Sequence, residues 1–377
     1  MLLSIGLSVA MLTAVPEGEW VRAIPDSVSS RVLRDTGHTV YLSGPGLARL
    51  ADGRWESLPG LEFDGLMTNH REYWTARQAP GPGPSQFGNV IGILTHYSDR
   101  VVASYDTANS CLDGNLFRLL GMDGMGKVVV DQRYFRGFGG PSTGVIRFDG
   151  KTCEQIELGL VGEMGAIAYG LDAVGREYFS TAPVSDVSGC GEMLRLDQGR
   201  LETLAEGVCA KKFLSRGMEV WAATTAGAWI FKDDSVRKIT AVKGKAFREI
   251  QDILFDRLGV IWIGTDGYDF YPENIGLVAI SGEDTVIYNK DNSGFPSYYA
   301  SSLAEDPQGN VWVGTLGEGV AVFARDKSVL SLVKPRKNYG IHRPEKSGFY
   351  RDLLGRHLNP GGTIFRGARH SIPVFSR

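Results

Sequence analysis

Long apolar runs are absent from this chain of 377 residues after its first fifteen positions. No later stretch approaches the roughly 20 apolar residues that a membrane-spanning helix requires, so no transmembrane segment is predicted. Helical periodicity does not persist for long either, which argues against long amphipathic helices. The chain has 43% hydrophobic residues, 49 Gly and 7 Trp, a composition that suits many short strands joined by tight turns.

Histidine and cysteine are scarce, with six and four copies. No zinc-ligand spacing, phosphate-binding glycine loop or nucleophile elbow occurs, which weighs against the enzyme classes that depend on them. The histidines His38, His70 and His96 fall near predicted turns or strand ends, with no Ser, Cys or carboxylate at an informative spacing. The sequence therefore assigns no catalytic residue and no cofactor.

A repeated pair of residues gives the positive evidence for a fold. Seven times, a hydrogen-bonding residue at a predicted turn is followed six positions later by a bulky apolar or aromatic residue that opens a strand. The pairs are Asp35 with Tyr41, Thr68 with Trp74, Asp123 with Val129, Asp172 with Tyr178, Ser215 with Trp221, Asp256 with Trp262, and Asp306 with Trp312. Successive pairs lie 33, 55, 49, 43, 41 and 50 residues apart, the range expected of β-propeller blades with loops of variable length.

The clearest copies of the repeat show why it forms a hairpin. In Asp256-Arg-Leu-Gly259 and Asp306-Pro-Gln-Gly309, the carboxylate is placed to accept backbone N–H groups of the turn, and the glycine takes a positive φ without steric cost. The residues that follow, 261–265 and 311–315, are β-formers that alternate around a central Trp. The Asp of each copy therefore has a structural role in the turn.

These copies resemble the propeller repeats of two-component-regulator sensor proteins, whose repeat reads roughly D-x-x-G-x-ϕ-W-ϕ-G-T. The resemblance covers about residues 18–333 and is weaker where Thr68 and Ser215 replace the Asp. It implies an all-β, seven-bladed β-propeller of four-stranded blades, and it says little about a ligand. We expect blades over residues 27–59, 61–108, 114–158, 163–206, 208–241, 247–290 and 298–333. Residues 18–25 form one more predicted strand, placed to pair with the last blade and close the ring.

The first fifteen residues form a short apolar run of signal-peptide length that ends in small residues. No Lys or Arg precedes Arg22, and Leu12 occupies a position where signal processing prefers a small residue. Two interpretations of residues 1–17 stay open, a cleaved secretion signal and a first strand of the propeller. The signal interpretation predicts a secreted, periplasmic or cell-surface protein of a bacterium.

Four cysteines give a second indication of the compartment. In a propeller, the loop between the second and third strands shares one face with the connection between blades, so Cys190 and Cys209 are placed to meet across blade four. Cys111 and Cys153 have no such reason to be close. A disulfide would suit an exported protein, and four unpaired thiols are the alternative.

The C-terminal segment, residues 334–377, differs in charge from the rest. It carries ten Lys and Arg but only two acidic residues, a net of +8, against −11 for the remainder. The stretch 350–356 resembles the D-L-L-G-R hairpin of C-terminal sorting domains in bacteria that use type IX secretion. The alternative is a basic tail that lies on the acidic propeller or on a polyanion.

Three long loops between second and third strands lie on one predicted face, the natural place for a ligand at the mouth of a propeller channel. The loop at residues 77–89 is rich in Pro and Gly and is interpreted as a cover or spacer. The loops at 131–138 and 266–274, with the connection at 289–299, carry aromatic and charged residues. The predicted ligand-binding residues are Arg133, Tyr134, Arg136, Phe138, Tyr268, Asp269, Tyr271, Glu273, Asn292, Tyr298 and Tyr299.

Aromatic rings mixed with carboxylates and guanidinium groups suit sugars or peptides, because rings stack on apolar faces and charged groups form directional hydrogen bonds. A structural alternative is that these side chains pack the loops onto the scaffold. Oxygen atoms of Asp266, Asp269, Glu273 and Asn274 also suit a Ca²⁺ ion, although their spacing matches no known calcium loop.

Two functions follow as hypotheses. The first is a non-enzymatic extracytoplasmic propeller, expected to be a monomer, that binds a glycan, peptide or protein partner and no nucleic acid. The second is an enzyme similar to the streptogramin lyases, in which a loop base removes a proton beside a carbonyl and a divalent metal stabilises the anion. That alternative requires a His and acidic residues at one channel mouth.

Overall fold

The structure is a computed structural model that describes residues 14–15, 17–24, 31–34, 40–43, 47–51, 54–58, 65–69, 72–81, 90–98, 102–134, 142–160, 164–183, 189–267, 275–325, 350–351 and 357–358. All regular secondary structure within these ranges is β-strand. The strands of residues 19–324 form four-stranded antiparallel sheets, named blades one to seven in chain order, with one additional hairpin.

The strands of the first four blades are consecutive in the chain. Blade one is β2–β5 (Arg31–Arg34, Val40–Ser43, Leu47–Ala51, Arg54–Leu58) and blade two is β6–β9 (Gly65–Asn69, Glu72–Pro80, Val90–Tyr97, Val102–Tyr105). Blade three is β10–β13 (Leu116–Met122, Val128–Arg133, Ser142–Phe148, Cys153–Ile156) and blade four is β14–β17 (Met164–Leu171, Glu177–Pro183, Glu192–Asp197, Arg200–Glu206).

The remaining blades include the N-terminal strand. Blade five is β18–β21 (Ala210–Arg216, Glu219–Thr224, Gly227–Lys232, Ser235–Ile239), and the hairpin β22–β23 (Ala241–Val242, Lys245–Ala246) follows it. Blade six is β24–β27 (Ile250–Phe255, Ile261–Thr265, Leu277–Ser281, Asp284–Tyr288). Blade seven combines β28–β30 (Ala300–Glu305, Val311–Thr315, Val320–Ala324) with β1 (Glu19–Ile24).

The prediction of an all-β propeller built from four-stranded blades is confirmed. The first strands of successive blades contact one another from β6 onward to β28 and then β2, so they line the centre of the ring. The described part of the chain contains seven such sheets. The number of blades in the complete ring stays a prediction.

Strand direction defines two faces. Each first strand runs from the connection with the preceding blade to a short turn, and the strands then alternate in direction. One face therefore carries the connections between blades and those between second and third strands, and we call it the loop face. The opposite face, the turn face, carries the turns between first and second strands and between third and fourth strands.

The Asp of the repeat holds the turn between the first two strands. Asp306 Oδ1 accepts the backbone N–H groups of Gln308 and Asn310, both at 2.9 Å, while Oδ2 accepts Nε1–H of Trp312 at 2.9 Å. Gly309 has a φ of +86°, as the turn requires. The Trp lies six positions after the Asp because this spacing places the indole on the second strand directly beside the carboxylate.

The copies of the repeat that lack the Trp or the Asp use other partners. Asp172 accepts the N–H groups of Val174 at 3.0 Å and Arg176 at 2.9 Å, and it pairs with the Arg176 guanidinium rather than with an indole. The hydroxyl of Ser215 instead donates to the carbonyl of Leu171 in the preceding blade. Replacement of Asp by Ser thus converts a turn contact into a contact between blades.

The predicted closing strand forms. β1 pairs with β30 of the last blade, in a register that aligns Trp20 with Phe323. The Trp20 ring packs 4.9 Å from the ring of Phe295, 5.1 Å from Phe323 and 5.4 Å from Tyr288. The outer strand of blade seven is therefore anchored by an aromatic cluster as well as by its backbone.

Neighbouring blades pack through apolar layers and a few polar links. A Cβ at Gly264 would lie 2.6 Å from the carbonyl oxygen of Ala300, so only glycine allows the two strands to approach this closely. The buried Asp252 joins three blades, because it pairs with Lys212 Nζ at 2.5 Å and accepts the N–H of Leu303 at 2.8 Å. These contacts fix the relative positions of blades five, six and seven.

All four cysteines form disulfides, Cys111 with Cys153 and Cys190 with Cys209. The second pairing agrees with the expectation from topology, whereas the judgement that Cys111 and Cys153 have no reason to meet is wrong. β9 has four residues and ends at Tyr105, whose hydroxyl lies 2.7 Å from where a Cβ on Gly150 would be. The connection between blades two and three therefore runs beside the β12–β13 turn, which brings Cys111 to Cys153.

The chain divides into two compact units, residues 1–335 and 336–377. In the second unit, the strands β31 (Tyr350–Arg351) and β32 (His357–Leu358) pair as an antiparallel two-stranded sheet on either side of residues 352–356. The sorting and tail interpretations of this segment both stay predictions.

Candidate functional site

The loop face of blade three carries the first two predicted site residues at the end of β11. Arg133 is buried, ion-paired with Asp131, and donates from Nη2 to the carbonyl of Ala166 at 2.9 Å. Its guanidinium therefore links blades three and four. Tyr134, the next residue, is 39% exposed, and its hydroxyl donates to Oδ1 of Asp113 at 2.5 Å. This contact holds an aromatic ring at the surface of the loop face.

The connection between blades six and seven is held by its own side chains. Asn292 accepts the N–H of Asn289 at 2.9 Å and donates to the carbonyl of Ile287 at 3.0 Å. The Tyr298 hydroxyl donates to Asp291, while the N–H of Tyr299 donates to Ser297 Oγ at 2.9 Å. These bonds favour the loop-packing alternative for Asn292, and they place the partly exposed rings of Tyr298 and Tyr299 on the loop face.

The other predicted ligand-binding residues lie outside the described ranges. They are Arg136, Phe138, Tyr268, Asp269, Tyr271 and Glu273. Of the four oxygen donors considered for Ca²⁺, Asp266 is described and Asp269, Glu273 and Asn274 are not. The described residues contain no group of three or more His, Cys, Asp or Glu side chains placed to hold a metal ion.

Asp266 follows β25 on the loop face, where blades five and six meet. Its Oδ1 is buried and has no hydrogen-bond partner in the described ranges. Its backbone N–H donates to the carbonyl of Glu249 at 3.1 Å. The Glu249 carboxylate pairs with Lys211 Nζ at 2.6 Å, and the same ammonium donates to Gln251 Oε1 at 2.8 Å. Blades five and six thus contribute charged groups of both signs to one cluster.

Electrostatics distinguish Asp266 within this cluster. Burial raises the pKa of its carboxyl above the ordinary value, and the neighbouring Glu249 charge raises it further, while Arg248 and Lys211 act in the opposite direction. A half-buried carboxyl with a perturbed pKa and an unpaired oxygen is a recognised sign of a functional position. Asp266 is therefore the best-supported member of the candidate site among the described residues.

Sequence reasoning missed Lys211, Glu249 and Gln251. They stand at or just before the start of first strands, directly after connections between blades, and such positions always lie at the loop face of a propeller. That topological rule was available from the repeat boundaries. The ion pair itself was not, because it depends on the packing of β18 against β24.

Replacement of Asp266 by asparagine tests this electrostatic description. The folded-state pKa lies above that of the unfolded chain, so the folded protein holds the extra proton between the two values and its stability falls as pH rises through that interval. Asp266→Asn is expected to remove this slope and to raise the free energy of unfolding at neutral pH by about 0.5–2 kcal/mol. Urea unfolding from about pH 4 upward measures both effects.

Asp197→Asn is the matched control, because Asp197 is exposed in the β16–β17 turn on the opposite face. The control is expected to keep the pH slope of the unsubstituted protein. An Asp266→Asn protein that is less stable at neutral pH, with an unchanged slope, would contradict the description.

His96 is the histidine of the propeller that the structure describes, in the third strand of blade two. Its ring stacks on Trp74 with 4.3 Å between centroids, and its Nε2 lies 3.3 Å from a carboxylate oxygen of Glu72 without hydrogen-bond geometry. His96 lies near the turn-face end of β8, close to the Thr68–Trp74 repeat pair of the same blade. This position gives His96 a packing role.

Comparisons with known proteins agree with this architecture. A family model described as two component regulator propeller matches residues 294–317, which contain the turn and tryptophan of blade seven. The chain carries a two-component-regulator propeller repeat. No curated protein matches the chain. No helix that could span a membrane occurs in the described ranges.

Several solved structures share the fold. The extracellular domain of the hybrid two component system BT3049 from B. thetaiotaomicron is 14% identical, with a TM-score of 0.53 over 93% of this chain and 47% of that one. A streptogramin B lyase is 13% identical, with a TM-score of 0.52 over 79% and 94% of the two chains. YCF48 bound to D1 peptide is 14% identical, with a TM-score of 0.51 over 83% and 99%. The chain spans between 39% and 51% of the length of four such structures, the BT3049 domain among them.

Proposed function

We propose that this chain is a non-enzymatic extracytoplasmic β-propeller that binds a glycan, peptide or protein partner through its loop face. The observation that carries the proposal is Asp266, a half-buried residue whose Oδ1 is buried and has no hydrogen-bond partner in the described ranges, beside the Lys211–Glu249 ion pair. Groups of both signs at one place suit polar, directional recognition of hydroxyl or amide groups. The exposed ring of Tyr134 adds an apolar surface for stacking on the same face.

The compartment is supported by the cysteines. Both disulfides together use every cysteine of the chain, and such bonds persist in oxidising environments outside the cytoplasm. The extracellular location of the BT3049 domain, which has the same fold, points in the same direction. We therefore propose a secreted, periplasmic or cell-surface location.

The alternative function is that of a lyase, and the chain shares its fold with the streptogramin B lyase. Fold alone does not transfer an activity, because propellers host many chemistries. The described histidine of the propeller, His96, stacks on Trp74 away from the loop face. The binding function is therefore the better supported of the two.

A ligand screen on the full chain tests the proposal. Glycan-array binding and thermal shift with peptide pools are expected to identify a stabilising ligand, which at 100 times its Kd would stabilise the protein by about 2.7 kcal/mol. Asp266→Asn is expected to weaken that binding about tenfold or more, and Tyr268→Ala and Arg136→Ala test the loops predicted from the sequence. Asp197→Asn on the turn face is expected to leave the affinity unchanged.

Two results would overturn the proposal. Binding that all three variants retain would place the ligand away from Asp266 and from the loops predicted at 131–138 and 266–274. Turnover of the ligand that depends on Ca²⁺ or Mg²⁺ would favour the lyase alternative.

A further inference from the structure

A second opening on the loop face lies between blades three and four. It is an open cavity of about 330 Å³. One wall comes from the connection between the blades, through Leu158, Leu160 and Met164. The opposite wall comes from the outer half of blade four, where Glu192 opens β16 and Glu206 closes β17.

The blade-four wall is rigid. The N–H of Gly191 donates to the Thr181 carbonyl at 3.0 Å, and the N–H of Gly207 donates to the Gly191 carbonyl at 2.8 Å. The Cys190–Cys209 disulfide ties the same segment to the start of blade five. A Cβ at Gly191 would lie 2.2 Å from Met164 Cε, so the two walls are in contact at these two residues. These bonds fix the position of the blade-four wall of the cavity.

The charged side chains among the described residues that line this cavity are of one sign. Glu192 and Glu206 are direct cross-strand partners in the register of β16 and β17, and both line the cavity. Neither carboxylate has an ion-pair or hydrogen-bond partner in the described ranges. Like charges directly opposite each other destabilise an antiparallel pair. Two such charges at a preformed cavity have a cost in the free protein that a bound cation would remove.

The apolar wall adds a second requirement for a ligand, beyond positive charge. Leu158 and Leu194 are 5% and 2% exposed at the base of the cavity, and Leu160 and Met164 are partly exposed beside them. An alkyl chain that ends in a cation matches this arrangement, since the stems of Lys and Arg pack along apolar surfaces while their charged groups remain at the rim. A bare metal ion would leave the apolar wall without a partner.

We propose that this cavity binds the side chain of a lysine or arginine residue presented by a peptide or protein ligand. The alkyl stem lies along Leu160 and Met164, and the cation lies between Glu192 and Glu206. The inference rests on the proposed function and deepens it, because it assigns one chemical group of a peptide or protein ligand to a second place on the loop face. It concerns a cavity of blades three and four and does not involve Asp266 or the loop of blade six. Either site is able to fail while the other is upheld.

The test measures binding of two probes, Nα-acetyl-lysine methylamide and Nα-acetyl-arginine methylamide, to the full chain. Saturation-transfer NMR detects the binding and titration gives the affinity. N-acetyl-norleucine methylamide is the matched probe, because it keeps the alkyl stem and lacks the cation. At least one of the two cationic probes is expected to bind at least tenfold more tightly than the norleucine probe. Its affinity should fall as ionic strength rises, because salt screens partly exposed charges.

Substitutions in the protein separate binding from a structural role. Glu192→Gln, Glu206→Gln and the double variant are expected to weaken the cationic probe, by tenfold or more in the double variant. Each is also expected to raise the melting temperature of the free protein, because the like-charge pair is lost. Glu202→Gln is the control on the same strand as Glu206, because Glu202 pairs with Arg195. This substitution should leave the affinity for the cationic probe unchanged and should not raise the melting temperature.

Three results would overturn the inference. Equal binding of the norleucine probe would show that the cation is not recognised. Full affinity in the double variant, or a melting temperature lower than that of the unsubstituted protein, would show that the carboxylates have another role. Competition by Ca²⁺ at concentrations where Na⁺ has no effect would assign the glutamates to a metal ion.

Discussion

Replacement of Asp306 by alanine is expected to lower the free energy of unfolding by about 3–5 kcal/mol. Asp306 is fully buried and accepts four hydrogen bonds, from two turn N–H groups, the indole of Trp312 and the side-chain amide of Asn310. Alanine would leave these donors buried without acceptors. Urea unfolding, followed by tryptophan fluorescence, measures the loss.

Asp149→Ala is the matched control for this prediction. Asp149 holds the turn between β12 and β13 with the same kind of bonds, to the N–H groups of Lys151 and Thr152 at 2.8 Å, but it is exposed. Water is able to replace its carboxylate, so the loss is expected to be far smaller. Equal losses in the two variants would show that burial does not determine the contribution of these turns.

Loss of the Cys111–Cys153 disulfide is expected to cost about 4 kcal/mol, and loss of Cys190–Cys209 about 3 kcal/mol. The first bond closes a loop of 42 residues and the second a loop of 19, and the longer loop restricts the unfolded chain more. Paired Cys→Ser variants, unfolded in urea without reductant, measure the two costs separately.

A reducing agent supplies the control for the disulfide prediction. Reductant is expected to destabilise the unsubstituted protein by at least as much as the larger of the two losses, and to leave a variant without any cysteine unaffected. A variant lacking Cys111 and Cys153 that is as stable as the unsubstituted protein would refute the contribution assigned to this bond.

Much of the fold could be predicted because the repeat contains its own hydrogen-bond chemistry. An Asp, a Gly three positions later and a Trp six positions later, as in Asp306, Gly309 and Trp312, specify one hairpin almost without reference to the rest of the chain. Local information of this kind defined the strands of blades six and seven. The need of a propeller for closure predicted the outer strand over residues 18–25, which the structure gives as Glu19–Ile24.

The candidate site was less predictable because it depends on contacts between blades. The Lys211–Glu249 pair arises where β18 packs against β24, and no local pattern specifies that contact. The Cys111–Cys153 bond was missed for a similar reason, since the path of a connection depends on where the short strand β9 ends. The composition of the loops indicated candidate residues. The contacts that the described candidates make depend on tertiary packing, which composition does not reveal.

Closure through β1 has a consequence for the order in which the molecule can assemble. Arg22 on β1 and its ion-pair partner Glu318 are 296 residues apart, so the pairing that completes blade seven has a high contact order and forms slowly. During synthesis from the N-terminus, β1 emerges before β30 and lacks this partner strand until β30 appears. Its hydrogen-bonding edge lacks a partner throughout that time, and unpaired strand edges are able to pair with a neighbouring chain. A truncated chain that ends before Val320 would remain in that vulnerable state permanently.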